Sequence, residues 1–391
     1  MGLLILMALI NNSVQQKIHL FKERKAIWFM LAFALVLLTS AIISTNHHAA
    51  SRFLQLRLPL ILFPLSVGLI KLSKDQRDKI LLGIATIVTI SCFLSLCYAV
   101  FRYRQHNDTA WLYNDALSFL IGQQSIYTSL LVNISIYIFV YHMLYLQLSK
   151  VYKIVMGTCV VFLFIISYLL ASRNMMLILY TITLGFSFYY IIKKKKWLEG
   201  VGLLVGLLII GFMIFKFFPK TINRFKELAF TQFSYQSKAQ ESHYASNLTA
   251  DQWNGANFRL AAWQCGWQLF KEHPFIGVGL GDKKDELFNV YEQKQFHFAI
   301  TTNKNVHNNY LDILYSLGII GLLFFLSGGI IFPALQFFST NDNLALLILA
   351  TFALAMITEN YFDRSLGVML FGFFIPFLLS CKSPTITKRF R

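Results

Sequence analysis

The chain has 391 residues, of which 56% are hydrophobic and only 14% are charged, whereas about a quarter of the residues of a typical soluble domain are charged. This composition excludes an ordinary soluble protein and indicates an integral membrane protein, so the chain length does not predict a number of soluble domains. The formal net charge of +17 would suit a nucleic-acid-binding protein, and the positions of the basic residues therefore decide its meaning.

Apolar stretches recur along the chain, and ten of them are candidate membrane spans, since a spanning helix needs roughly 20 apolar residues. A short run before them, "GLLILMALI" at 2–10, is too short to span and is interpreted as the remnant of a trimmed or irregular first helix. The predicted spans are 26–44, 53–70, 80–101, 119–147, 154–171, 174–192, 198–218, 308–333, 344–360 and 366–381. We therefore predict an all-α integral membrane protein with many spans.

Lysine and arginine are distributed unevenly between the connectors of these spans. One alternate set is rich in them and comprises Lys17, Lys22, Arg24, Lys25, Lys71, Lys74, Arg77, Lys79, Lys150, Lys153, "KKKK" at 193–196, Lys382, Lys388, Arg389 and Arg391. The connector at 334–343 belongs to this set by alternation but has no lysine or arginine. The other short connectors carry only Arg52, Arg102, Arg104, Arg173 and Arg364. The positive-inside rule places the rich set in the cytoplasm. The charge thus reports topology and contact with membrane lipids, and in the absence of a nucleic-acid-binding motif no nucleic-acid partner is expected.

This topology divides the chain into three parts. Residues 1–218 are predicted to be N-terminal transmembrane helices, 219–306 a large loop on the outer side, and 307–391 C-terminal transmembrane helices with a short cytoplasmic tail. The loop contains tryptophans and an amphipathic pattern at 257–272 that predicts a helix, with Asn254 or Asn257 as its N-cap. We therefore expect a loop that is folded and partly helical.

Two arginines on the outer side need an explanation. Arg173, in "YLLASRNMMLILY", lies at a turn between two apolar runs. It is either an interfacial anchor or an anion-binding group facing a cavity, because the planar guanidinium fork suits phosphate. Arg259 lies in the first turn of the helix predicted at 257–272, where a positive charge opposes the helix dipole. It is either an exposed surface residue or a partner of the helix N–H groups in binding an anion.

The stretch "NKNVHNNYLDILYSLGIIGLLFF" at 303–325 changes from polar to apolar at the outer membrane interface. His307 is either a hydrated interfacial histidine or a general base, for which histidine is the commonest residue. Asn308 and its neighbour open the following helix as good N-cap residues. Asp312 either orients the imidazole or is an exposed carboxylate of the capping region. Gly318 and Gly321 would let another helix approach closely.

Three further features bear on a possible site. Arg57 lies about one turn into a span and either snorkels to the interface or lines the same cavity as Arg173. "GVGLG" at 277–281 lacks the strand and lysine of a phosphate-binding loop and is interpreted as a backbone turn. The cysteines form no Cys-x-x-Cys, and His47 and His48 have no carboxylate beside them, so no metal and no cofactor are expected.

Three stretches carry a family resemblance: "ASRNMML", "FRLAAWQCGWQLFKEHPFIGVGLGD" and "HNNYLDILYSLGIIGLL". In this order they resemble the motifs of the O-antigen ligase / O-antigen polymerase superfamily of bacterial membrane glycosyltransferases, over roughly residues 120–335, and the chain looks most like an O-antigen ligase. The resemblance implies a GT-C-like polytopic bundle of about 10–12 transmembrane helices with one large periplasmic loop. The family's His-Pro-x-Tyr pattern near Tyr127 lacks its His and Pro here.

The resemblance also implies an activity and a site. The donor would be a glycan on undecaprenyl pyrophosphate and the acceptor the lipid A–core, in a metal-independent, inverting transfer at the periplasmic side of the bacterial inner membrane. Arg173 and Arg259 would bind the pyrophosphate and His307 would assist the acceptor hydroxyl. The residues given possible supporting roles are Asn308, Asp312, Arg57 and Tyr127.

Other functions remain as alternatives. A polymerase that extends O-antigen or capsule repeats uses the same carrier, and a protein-directed O-glycosyltransferase belongs to the same superfamily. A lipid-linked glycan transporter or flippase would tend to carry ionisable residues in the middle of its helices, where this chain has almost none apart from Arg57. A non-enzymatic envelope scaffold is the remaining alternative.

Overall fold

The computed structural model describes residues 2, 13–217, 229–242 and 252–381. Most of the apolar run at 2–10 and all of the tail at 382–391 therefore lie outside the described residues. Within the described ranges the regular structure is helical, and the only β pairings are two isolated bridges, Leu72 with Cys381 and Glu241 with Trp253. The prediction of an all-α protein is confirmed.

The helices are numbered along the described chain. They are α1 (Val14–Glu23), α2 (Lys25–Ile43), α3 (His47–Arg57), α4 (Pro59–Leu65), α5 (Lys74–His106), α6 (Asn114–Leu117), α7 (Ser125–Tyr145), α8 (Lys150–Leu169), α9 (Arg173–Lys194), α10 (Trp197–Phe217), α11 (Gly255–Glu272), α12 (Lys283–Gln293), α13 (His297–Thr301), α14 (Asn309–Leu326), α15 (Phe332–Ser339), α16 (Asn343–Thr358) and α17 (Ser365–Leu379). Short 3-10 segments occupy Val67–Leu69, Thr109–Leu112, Phe119–Ile121 and Tyr361–Asp363, and a π-helical turn occupies Ser327–Ile331.

Seven segments of the described chain are long and apolar enough to cross a membrane, which confirms the polytopic class. They are Lys25–Ile43, His47–Leu69, Lys74–His106, Ser125–Tyr145, Lys150–Leu169, Arg173–Lys193 and Asn309–Ser339. The other three predicted spans coincide with α10, α16 and α17. Helices α16 and α17 have only 16 and 15 residues, because α16 ends before Glu359, whose backbone is extended, and a 3-10 turn precedes α17.

Packing divides the chain into two compact units. The first comprises residues 1–79 and 261–391, and the second comprises residues 80–260. The boundaries fall within α5 and α11. This division by packing differs in kind from the topological division at 218 and 306, which stays a prediction.

The first unit has an aromatic core built by helices that meet closely. The rings of Phe325, Phe362 and Phe371 lie with centroids 5.3–5.8 Å apart, and Phe352 packs on Phe371 at 5.6 Å. In lipid, helix association depends on such van der Waals packing because lipid tails are as apolar as the side chains. At Gly328 in the π-helical turn, an added Cβ would lie 2.5 Å from a backbone nitrogen of α2, so the two backbones approach closely.

Polar contacts in the first unit join connectors that the charge pattern assigns to the same side. For the inner side, Arg24 donates to the carbonyls of Ile70 (2.9 Å) and Ser380 (3.1 Å), and Arg77 pairs with Asp342. For the outer side, Asp282 accepts from the N–H groups of Thr45 (2.8 Å) and Asn46 (2.7 Å). Each contact joins connectors that are predicted to share a side, and the sidedness itself stays a prediction.

The second unit positions the start of α9. Helix α7 packs against α8, and α9 packs against α10. The buried side chain of Asn133 in α7 donates to the carbonyl of Met175 (2.8 Å). This bond lies two residues from Arg173 and holds the first turn of α9 against α7.

Candidate functional site

Arg173 and Arg259 come together in the second unit. Arg173 is the first residue of α9. Helix α11 begins at Gly255, two residues before the predicted start, so Arg259 is its fifth residue rather than a first-turn residue, and it donates to the carbonyl of Gly255. A Cβ added to Gly255 would lie 2.6 Å from Nη2 of Arg173 and 3.1 Å from Nη1 of Arg259. Both guanidinium groups therefore lie beside Gly255. They occupy the space that a side chain at residue 255 would fill.

The start of α11 is capped by two asparagines. Oδ1 of Asn254 accepts from the N–H groups of Ala256 (2.7 Å) and Asn257 (3.1 Å), and Oδ1 of Asn257 accepts from the N–H of Asn254 (2.8 Å). This reciprocal arrangement is that of a capping box. Both residues proposed from the sequence take part, with Asn254 as the N-cap. The caps therefore occupy the N–H groups of Ala256 and Asn257, and the anion-binding role of the two arginines stays a prediction.

His307 is held by its ring and by its backbone in the first unit. Nδ1 of the imidazole lies 3.1 Å from Oε2 of Glu359, and the side chains are 23% and 11% exposed. The N–H of His307 donates to Oδ1 of Asn305 (3.0 Å). When Nδ1 carries the proton that Glu359 accepts, Nε2 is the acceptor of the neutral ring. The arrangement therefore suits a general base with a carboxylate behind it.

The residues around His307 are each anchored. The carbonyl of Val306 accepts from Nε1 of Trp263 (2.9 Å), and Asn308 caps α14 by accepting from the N–H of Leu311 (3.0 Å). Oδ1 of the buried Asn309 accepts from the N–H of Phe362 (2.9 Å). The capping role expected of Asn308 is confirmed, and the residues on either side of His307 are held by hydrogen bonds.

Glu359 was not found by sequence reasoning. It follows the apolar helix α16, and the span predicted at 344–360 included it among membrane residues. An ionisable residue inside a predicted span is by default a candidate for function. The sequence contained that signal for Glu359. It did not show that the partner of Glu359 would be His307, 52 residues earlier.

A cluster of four charged side chains lies in the same unit, three of them buried and the fourth, Asp363, 14% exposed. Nζ of Lys283 contacts both oxygens of Asp312 (2.9 and 2.8 Å) and Oδ1 of Asp363 (2.6 Å). Nη2 of Arg57 lies 3.2 Å from Asp312 and 3.3 Å from Asp363. Two cations thus balance two carboxylates, as burial requires, because an unpaired buried charge is strongly destabilising.

The cluster corrects two interpretations. The side chain of Arg57 is fully buried, so it does not snorkel; the alternative of a cavity shared with Arg173 stays a prediction. Asp312 is also fully buried and binds Lys283, Arg57 and the hydroxyl of Tyr315 (3.0 Å). It is therefore not an exposed carboxylate. The carboxylate seen at the imidazole is that of Glu359, and a supporting role for Asp312 stays a prediction. Lys283 and Asp363 carried no sequence signal, since each stands in an ordinary polar connector.

The protein is predicted to lose folding stability in acid because of the lowered pKa of Asp363. Burial alone would raise its pKa, but the charges of Lys283 and Arg57, with hydrogen bonds from Lys283 and Asn305, hold the pKa of Asp363 below its ordinary value of 3.8. A carboxyl with a depressed pKa stabilises the fold above its unfolded pKa, and this contribution is lost as the pH falls through the folded value. We expect the thermal midpoint in detergent to fall more steeply below pH 3.8 in the wild type than in Asp363→Asn.

The same variant should already be less stable at pH 6, by about 3–5 kcal/mol, because it leaves the buried cations undercompensated. Glu292→Gln, which changes an exposed carboxylate on α12, serves as the control. A wild-type midpoint for Asp363→Asn at pH 6 would contradict the structural role of the cluster.

The "GVGLG" segment is the backbone turn that the sequence suggested. Gly277 and Gly279 have positive φ (68° and 108°), and the N–H of Val278 donates to the carbonyl of Tyr315 (2.9 Å). Gly318 interrupts α14 with φ 67°, and a Cβ there would lie 2.1 Å from the carbonyl oxygen of Phe275. The expectation that Gly318 admits another helix is therefore wrong, since it admits this turn.

Two expectations receive no test from these contacts. Tyr127 is buried in α7 of the second unit, and its supporting role stays a prediction. In the ranges that the structure describes, no three His, Cys, Asp or Glu side chains are grouped as metal ligands would be. Metal independence likewise stays a prediction.

The fold and these polar groups define a polytopic all-α membrane protein with an arginine pair in one unit and a histidine–glutamate pair in the other. A family model described as O-Antigen ligase matches residues 158–326, a range that includes Arg173, Arg259 and His307. This match supports the O-antigen ligase / O-antigen polymerase superfamily that the three motifs predicted. The family supports a ligase- or polymerase-type function with lipid-linked glycans as the general substrate class. No curated protein matched the chain.

Proposed function

We propose that the protein is an O-antigen ligase-type glycosyltransferase that moves a glycan from undecaprenyl pyrophosphate to the lipid A–core oligosaccharide. The observation that carries the proposal is the meeting of Arg173 and Arg259 at Gly255 within the segment that matches the family. Two guanidinium groups side by side suit a pyrophosphate, because each presents a planar fork of donors that fits phosphate oxygens.

The proposed reaction is a single displacement. A hydroxyl of the acceptor sugar attacks the anomeric carbon of the donor, and the bond from that carbon to the pyrophosphate oxygen breaks. The leaving pyrophosphate gains negative charge, so Arg173 and Arg259 stabilise the transition state more than the ground state. One displacement inverts the configuration at the anomeric carbon. The arginines take the place of a divalent cation, and no cofactor is required.

His307 removes the proton of the attacking hydroxyl in this proposal. With Nδ1 hydrogen-bonded to Glu359, Nε2 takes the proton, and the carboxylate stabilises the imidazolium that forms. The buried start of α14 and the turn at Asn305 hold the ring in place. The proton leaves the imidazole after transfer, which returns the enzyme to its starting state.

The location is proposed to be the bacterial inner membrane, with the reaction at its periplasmic side. The support is the lysine and arginine pattern, which assigns the connectors containing Arg173, Arg259 and His307 to the side opposite the basic loops. The contacts of Asp282 with Thr45 and Asn46 join two connectors assigned to that same side. The lipid-linked donor would reach the site from the membrane.

A repeat-unit polymerase is the second candidate, because the matched family description and the three motifs suit both activities. The test is the lipopolysaccharide of a strain that lacks the gene, separated on a gel. We expect lipid A–core without any O-antigen, with the polymer retained on its lipid carrier. Lipid A–core bearing a single repeat would identify a polymerase, and absence of periplasmic lipid-linked glycan would identify a transporter.

A further inference from the structure

We infer that Asn305 is a positioning residue that presents the His307 imidazole by joining its backbone to the buried charge cluster. The inference rests on the proposed role of His307 as the general base. It concerns a residue that touches neither of the proposed substrates and acts only through His307.

Asn305 forms a tight turn with His307. Its Oδ1 accepts from the N–H of His307, two residues later (3.0 Å), which is the geometry of an Asx-turn. His307 has φ 47°, a left-handed conformation that a residue with a side chain keeps only when its surroundings impose it. Val306 between them is fully buried and bonded to Trp263. The turn is therefore fixed at Val306 by Trp263, and at its two ends by the hydrogen bond between Asn305 and His307.

The side chain of Asn305 is itself held by the carboxylate of Asp363. Its Nδ2 donates to Oδ2 of Asp363 (3.1 Å), which also accepts from Nδ2 of Asn360 (2.9 Å). The other oxygen of Asp363 binds Lys283 and Arg57. The amide of Asn305 can thus satisfy its partners in only one orientation, with nitrogen toward the carboxylate and oxygen toward the His307 N–H.

One short segment, residues 359–363, restrains both the imidazole ring and the backbone of His307. Glu359, at the start of residues 359–363, binds the ring, and Asp363, at the end of that segment, fixes the backbone through Asn305. The imidazole cannot move away from its turn without breaking one of these bonds. Such preorganisation supports catalysis, because a misplacement of about 1 Å can cost roughly 10²-fold in rate.

The test compares Asn305→Ala with wild type in a purified transfer assay. Asn305→Ala removes both hydrogen bonds, and we expect kcat to fall roughly 10²-fold while KM for the lipid-linked donor is unchanged, since donor binding is assigned to Arg173 and Arg259. Asn289→Ala, an exposed asparagine on α12, is the matched control and should keep wild-type kinetics. A rise in KM with unchanged kcat would overturn the positioning role.

A rescue distinguishes positioning from general stabilisation. Asn305→Asp keeps an acceptor for the His307 N–H but sets a carboxylate against Asp363, so we expect a loss of kcat similar to that of Asn305→Ala. Adding Asp363→Asn restores a donor and an acceptor between the two positions. The negative charge moves from residue 363 to residue 305, so the summed charge of these two positions is unchanged. We expect the double variant to recover at least 10-fold in kcat over Asn305→Asp.

The outcomes separate this inference from the proposed function. Full activity of a folded Asn305→Ala protein, with His307→Ala inactive, overturns the role of Asn305 and leaves His307 as the base. Full activity of His307→Ala overturns both. A double variant no better than Asn305→Asp, at equal thermal stability, also overturns the link through Asp363.

Discussion

Replacement of His307 by alanine is expected to abolish glycan transfer while the protein still inserts into the membrane. General acid–base catalysis contributes typically about 10²–10⁴-fold, and the ring is paired with Glu359 and 23% exposed, so it is placed to exchange a proton. Glu359→Gln should cause a smaller loss, because it removes the charge that stabilises the imidazolium but keeps an oxygen near Nδ1. The measurement is transfer by purified variants, supported by the lipopolysaccharide of complemented strains.

The control for this prediction is His297→Ala, which removes an exposed histidine of the same unit and should leave transfer unchanged. Wild-type transfer by His307→Ala would remove the catalytic assignment. Equal activity of Glu359→Gln and wild type would show that the carboxylate does not assist the ring.

Replacement of Arg259 or Arg173 by alanine is expected to reduce transfer at least as severely as loss of one transition-state donor, which costs roughly 10²–10³-fold. The leaving pyrophosphate carries more charge in the transition state than in the donor, and each arginine supplies a fork of donors to it. Lysine at either position should not restore activity, because a point charge does not reproduce the bidentate fork. Arg52→Ala, an exposed arginine of α3, is the control.

A finer variant tests the arrangement of the two arginines without removing either. In Gly255→Ala the new Cβ would stand 2.6 Å from Arg173 and 3.1 Å from Arg259, so a guanidinium group must shift. The atoms that must move are the ends of flexible side chains, so we expect lower transfer without lower thermal stability.

Gly157→Ala is the matched control for Gly255→Ala, because a Cβ at this helical glycine would meet nothing within 4 Å. It should leave transfer unchanged. Full activity of Gly255→Ala would show that the spacing of the two arginines in this structure is not what the reaction requires.

Spans and site residues differ in how far they can be read from the sequence. Hydropathy marked the spans because membrane helices need long apolar runs, but α4 starts at Pro59 and α16 ends before Glu359 for local reasons that hydropathy ignores. Gly318 looked like a contact for a helix, whereas its positive φ receives the turn at Phe275. The position of such a helix break depends on which other backbone segment packs against it, and hydropathy does not report that.

The sequence by itself determined the membrane class, the alternation of basic connectors and the three motifs, because apolar runs, charge and short patterns are local signals. Only the tertiary structure decided the partners: Glu359 on His307, and Asp312 and Asp363 on Arg57, which lie 255 and 306 residues from it in sequence. The physical reason is that a buried charge must be neutralised by whatever the fold brings beside it. That neighbour is set by which helix ends meet, and no local pattern records it.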